Sequence, residues 1–288
     1  MNPMTAILIV LSLSPAAGGD AKDKPGTPEQ QYKAIVKDFQ QAANLSFKAT
    51  TEDERAKAVA DAMTLAPRLL ELIEKHPREP FVMDALVQVV NQELWLQANT
   101  KHPGRGNDRT QARALELLLR DHIGSDKLGE TCRRARYGFG KECETFLRTL
   151  MEKSPHRDVR ALACLRLAQL LEDRLKRLDL VKERPDMTKR YEGLFGKDYL
   201  DGLLRQDRAK AEKEVEAAFE VAGAKYGDVK VPYGETVADA VKTELYELRF
   251  LSIGKIIPEI EGDDQDGKHF KLSDYRGKVV LLYFWQEY

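Results

Sequence analysis

The stretch Lys278–Tyr288, KVVLLYFWQEY, decides how the chain is read. Val279 to Trp285 are seven consecutive apolar residues. A run of that length, mixing β-branched and aromatic side chains without polar alternation, reads as a strand covered on both faces. Upstream, Asp266-Gly267 is a hairpin turn signal between an extended run at Glu259–Glu261 and another at His269–Leu272. The polar link SDYRGK, Ser273–Lys278, carries the hairpin into the apolar run.

Everything before Gly254 is patterned differently. From Thr27 to about Leu251 the apolar residues recur at helical spacing, and strand-type alternation is absent. TPEQ at 27–30 is a start signal: Thr27 as cap, Pro28 in the first turn, Gln30 placed to close a capping box. Behind it Tyr32, Ile35, Val36 and Phe39 share one face. TEDE at 51–54 repeats the capping logic with Thr51 and Glu54. Further apolar faces are Leu115, Leu118 and Leu119; then Ala211, Val215, Ala218, Phe219 and Ala222; then Val237, Ala240, Val241, Leu245 and Leu248. EKHPREP from Glu74 and EKSPHRD from Glu152 each close a helix, break it at Pro and open a new apolar helix. That echo fits stacked helix pairs, and both a repeat array and a plain bundle stay open. Arg174–Asp198 is charged, with Pro185 and two glycines, and reads as a long loop or an exposed helix with an irregular end.

A chain of 288 residues allows one large domain or two ordinary ones. Hydrophobic residues make up 42%, enough for a core. The 46 basic residues are interleaved with 47 acidic ones, net −1. No long-range field therefore points to nucleic acid or an anionic membrane. At the start, an apolar run from Ala6 to Leu13 precedes small residues and then charge. It is too short to span a bilayer and fits a secretory signal peptide over residues 1–19, although its n-region has no Lys or Arg. Export to a periplasmic or other extracytoplasmic space is the resulting expectation.

The familiar catalytic patterns fail one by one. YGFGKE at 137–142 lacks the first Gly of a phosphate loop, where Ala135 stands, and has Glu142 in place of the magnesium-binding hydroxyl. The five histidines are scattered, and His76 and His102 directly precede Pro. No carboxylate pair stands out as an acid/base couple. Cys132, Cys143 and Cys164 have neither CxxC nor zinc-ligand spacing. Cys143 shares helical spacing with Phe146, Leu147 and Leu150, and Cys164 with Leu167, Ala168 and Leu171. Core packing as small hydrophobes is the plain reading of both. No cofactor and no metal is expected.

With those residues set out, the C-terminal segment resembles the front of a thioredoxin-like redoxin domain, of the TlpA type found in exported bacterial disulfide reductases. The resemblance rests on Gly254-Lys255, Pro258-x-Ile260, Asp266-Gly267-Lys268, Leu272 through Lys278, and Val279 through Trp285. Together with the helical pattern upstream, it gives a mainly helical protein, residues 25–252, followed by the first strands of an incomplete thioredoxin-like α/β domain, residues 253–288. In the family the strand ends in Phe-Trp-x-x-Trp, and the next residue is the first Cys of CxxC. Phe284 and Trp285 match, and Tyr288 takes the last aromatic position. Trp285 and Tyr288 would flank the nucleophile, and Phe284 would anchor the strand, with ordinary packing as the plainer reading of all three. The resemblance implies a thiolate favoured by a helix N-terminus, attack on a substrate disulfide, and release by the second Cys. The expectation is that this chain stops just short of that motif and is inactive alone. An incomplete reading, a selenocysteine codon taken as a stop, or a real truncation would each explain it. Protein thiols and disulfides are the expected substrates, with a protein partner on the helical region as a further hypothesis. Two alternatives stay open: a non-catalytic helical binding or scaffold protein, and a thiol peroxidase of the alkyl hydroperoxide reductase/thiol-specific antioxidant type. The peroxidase usually has Pro and Thr before its Cys, which FWQEY lacks.

Overall fold

The computed structural model describes residues 26–99, 108–232, 235–252, 254–263 and 266–283. The expected signal peptide, residues 1–19, lies outside them. Twelve helices run along the described chain: α1 (Pro28–Lys48), α2 (Glu52–Met63), α3 (Leu65–Lys75), α4 (Val82–Asn99), α5 (Asp108–His122), α6 (Leu128–Ala135), α7 (Lys141–Lys153), α8 (Arg157–Glu183), α9 (Asp186–Phe195), α10 (Lys197–Leu204), α11 (Arg208–Tyr226) and α12 (Val237–Tyr246). A π-helical turn, Glu247–Leu251, follows α12 directly. Two short strands, β1 (Glu261–Asp263) and β2 (His269–Lys271), and a 3₁₀ turn at Leu272–Tyr275 complete the described elements. The protein is mostly helical, with its strands near the C-terminus. No helix among the described residues is long and apolar enough to cross a membrane.

The start signals work as the sequence requires. Thr27 accepts from Gln30 N and the Gln30 side chain returns the bond to Thr27 N, while Thr51 and Glu54 do the same for α2. Each box satisfies two amide donors that a helix end leaves without partners. A third box, Thr236 with Asp239, opens α12. The α3–α4 and α7–α8 junctions are helical hairpins, broken at His76 and Ser154 beside the prolines, and the helices of each pair pack together.

The main core joins α3, α4, α5, α6, α7, α8 and α11. Leu69, Leu86, Leu118, Leu128, Phe146, Leu150, Leu165 and Phe219 are fully enclosed in it. Each contributes about 1.5–3 kcal/mol by leaving water. α8 is its axis, packing on α6, α7 and α11.

Two expectations need correction. For Arg174–Asp198 the loop reading falls and the alternative, a helix with an irregular end, holds. α8 continues to Glu183, and α9 and α10 follow across short breaks at Arg184-Pro185 and Gly196. Leu178 and Val181 bury against Leu200 and Leu203 in a second small core. Arg174 and Arg177 are half-buried and held by Glu144 and Tyr199, while Lys176, Lys182, Arg184, Lys189, Arg190 and Lys197 are exposed as expected. The other correction is the apolar run. Val279–Tyr283 forms no strand, and Val279, Leu281 and Tyr283 are 104%, 90% and 80% exposed. An extended segment becomes a strand only by exchanging backbone hydrogen bonds with a neighbour, and among the described residues none lies beside it.

Candidate functional site

Two places among the described residues carry chemistry. The first is the C-terminal segment from Gly254 to Tyr283. β1 and β2 pair antiparallel with Glu261 opposite Lys271, Gly262 opposite Phe270 and Asp263 opposite His269. Asp266-Gly267 makes the connection, and Gly267 has φ +75°, a left-handed conformation that glycine adopts without strain. The ladder is two residues later on its first strand than the sequence suggests, and Leu272 N extends it by donating to Ile260 O at 2.9 Å. Lys271 Nζ crosses to Glu261 Oε1 at 2.9 Å, and Glu259 Oε1 accepts from Ser273 N at 2.9 Å. Asp274 accepts from Lys271 N at 2.9 Å and closes the 3₁₀ turn. The hairpin, the polar turn and the apolar run thus follow in the expected order. Phe284, Trp285 and Tyr288 lie outside the described residues.

None of the three cysteines can act for this segment. All are free and buried. Burial pushes the Cys132 thiol up to about 12, and it raises Cys143 and Cys164 as well. A nucleophilic cysteine needs the reverse, an accessible thiolate.

The second place is a polar chain between α8 and the α12–π-turn unit, which no sequence motif announced. Arg166 Nη1 donates to Gln169 Oε1 at 2.6 Å, and Gln169 Nε2 donates to Glu244 Oε1 at 2.6 Å. One carboxylate oxygen each of Glu172, Glu244 and Glu247 lies within 4.8 Å of the other two. Lys176 Nζ stands 2.9 Å from Glu172 Oε1 and 3.8 Å from Glu247 Oε2. Glu172 is 1% exposed. Burial, reinforced by the facing Glu244 and opposed by Lys176, pushes its carboxyl up to about 7. Oxygen ligands at such spacing suit a hard cation, but the Lys176 ammonium already stands among them. One signal could have found Glu172: it sits four residues after Ala168 and three before Leu175, a charge on an apolar face.

Residues 253–288 match the AhpC/TSA family model, and the C-terminal segment is therefore similar to the thioredoxin-like redoxins. No curated protein and no solved structure matches the chain.

Proposed function

We propose that this protein joins a helical body, residues 25–252, to a thioredoxin-like redoxin segment, residues 253–288, and serves thiol–disulfide exchange outside the cytoplasm. The family match over residues 253–288 carries this reading, supported by a hairpin and polar turn in the family's order. Disulfide exchange of the TlpA type is favoured over peroxide reduction because FWQEY, residues 284–288, carries the Phe-Trp pair and has neither the Pro nor the Thr that a peroxidase usually places before its Cys. The apolar stretch at residues 6–13 supports export by a signal peptide ending near residue 19. The nucleophile belongs after Tyr288 in this reading, since the buried cysteines offer no reactive thiolate.

A second reading, a non-catalytic helical binding protein, draws on those same inert thiols. One experiment separates the two. The coding DNA beyond the Tyr288 codon is read, and the protein carried through that frame is assayed for reduction of insulin disulfides. The redox reading expects a CxxC, or the same motif beginning with selenocysteine, directly after Tyr288, and activity that disappears when its first residue is replaced by Ala. Downstream DNA without that motif, or an extended protein without activity, overturns it in favour of the binding module.

A further inference from the structure

The redoxin-like segment leaves the helical body through one stem, α12 and the π turn Glu247–Leu251. Single π turns inside helices concentrate at functional sites because they break the regular ladder. α12 is anchored by Val237 and Val241, and the turn by Leu248. On the α11 side the stem is tied by ion pairs. Arg249 reaches Glu216 and Glu220, both at 2.6 Å, and Lys255 reaches Glu212 at 2.6 Å. On the α8 side the contact differs in kind: Glu172, buried, faces two more carboxylates, Glu244 and Glu247, and among the described residues Lys176 is the cation paired with them.

We propose that the contact of Glu172 with Glu244 and Glu247 is a pH-operated latch, closed while a proton is held among the three carboxyls and released when that proton leaves to water. With Glu172 neutral, the formal charge of Glu172, Glu244, Glu247 and Lys176 is −1. With it ionised the charge is −2; Lys176 and Glu247 are half open to solvent, but the added charge sits on the enclosed Glu172, and α8 and the stem repel there. Three other charged groups on elements packed against α8 are paired away from the cluster. Glu144 of α7 holds Arg174, Arg136 at the end of α6 holds Asp173, and Arg208 of α11 holds Asp179. Arg166 reaches the cluster only through Gln169. Because the α11 ties remain when the latch opens, the stem loosens and tilts while staying attached. The redoxin-like segment would then be presented differently at acid and alkaline pH.

The latch depends on the helical body alone, so its failure would leave the redox reading untouched, and the converse holds. The test is backbone hydrogen exchange over residues 244–252 of the full chain, normalised at each pH to the intrinsic exchange rate. Wild-type protection is expected to fall about tenfold or more between about pH 5.5 and about pH 8.5, the change that one unit of altered proton affinity brings. E172Q, which keeps the shape and cannot ionise, should hold its acid-level protection throughout. Protection that is independent of pH in wild type, or an E172Q that follows wild type, overturns the latch. A carbon-13 titration of the wild-type Glu172 carboxyl needs no variant: loss of its proton in the ordinary glutamate range overturns the proposal equally.

Discussion

Lys255 Nζ sits 2.6 Å from Glu212 Oε1, and Arg208 Nη1 takes the other oxygen of the same carboxylate at 2.7 Å. One α11 carboxylate therefore joins the start of the C-terminal segment to the helix that begins at Arg208. Lys255 is partly open to solvent, so the pair contributes about 1 kcal/mol or less to global stability. Its effect is local. E212Q should leave the unfolding midpoint nearly unchanged while trypsin cleavage after Lys255 quickens about severalfold, because local opening needs less free energy than global unfolding. An unchanged digestion rate would show that the segment is held by other contacts.

Glu144 and Glu172 should give opposite pH slopes. Burial works to raise the Glu144 carboxyl, but bonds from Arg174 and Arg148 outweigh it and hold it below the usual range. A depressed carboxylate stabilises above its unfolded-state value, and that contribution is lost as pH falls through the native one. E144Q should therefore cost about 1–3 kcal/mol near neutrality, with the gap to wild type closing in acid. Glu172 is raised, so its contribution is complete below the ordinary glutamate range and disappears as pH climbs to about 7. Relative to wild type, E172Q should gain stability across that window. Urea midpoints measured over pH for both variants check the two signs.

Gly138 and Cys143 are coupled by space. A Cβ at Gly138 would stand 2.2 Å from Cys143 Sγ and 3.0 Å from its Cβ. G138A should cost about 1–3 kcal/mol through overpacking. C143A alone leaves a small void and costs about 1 kcal/mol. Removing the sulfur takes away the worse clash, so the double variant should be more stable than the sum predicts by at least about 0.5 kcal/mol. Strict additivity in a double-mutant cycle would show that the α6–α7 corner moves to accommodate the methyl.

What the sequence made legible was local. Thr27 with Gln30 and Thr51 with Glu54 are complete within one turn, so their pattern alone determines them. The hairpin around Gly267 was readable for the same reason. The misreadings were non-local. Arg174 looks solvated until Glu144, thirty residues earlier in the chain, is placed beside it. Glu172 and Glu244 belong to helices that only the tertiary packing on α8 and α11 brings together. Val279–Tyr283 carries a strong strand pattern, but pairing depends on a neighbouring backbone that the pattern does not encode.

The apolar run yields the sharpest contrast between pattern and position. Val279 and Leu281 are almost fully exposed, while the alternate residues Val280 and Leu282 are each 42% exposed. A two-residue period of accessibility means an extended segment with one side turned outward. If both faces were buried, as the composition suggests, V279K or L281K would forfeit about 1.5–3 kcal/mol of burial each and leave an unpaired charge inside. In the observed arrangement both substitutions should change the unfolding free energy by no more than about 0.5 kcal/mol. They should also slow aggregation, because a lysine interrupts an apolar, strand-prone stretch that another chain could pair with. Urea unfolding and concentration-dependent light scattering of each variant measure the two effects. Strong destabilisation by either lysine would mean that this run is covered in solution by something that occupies both of its faces.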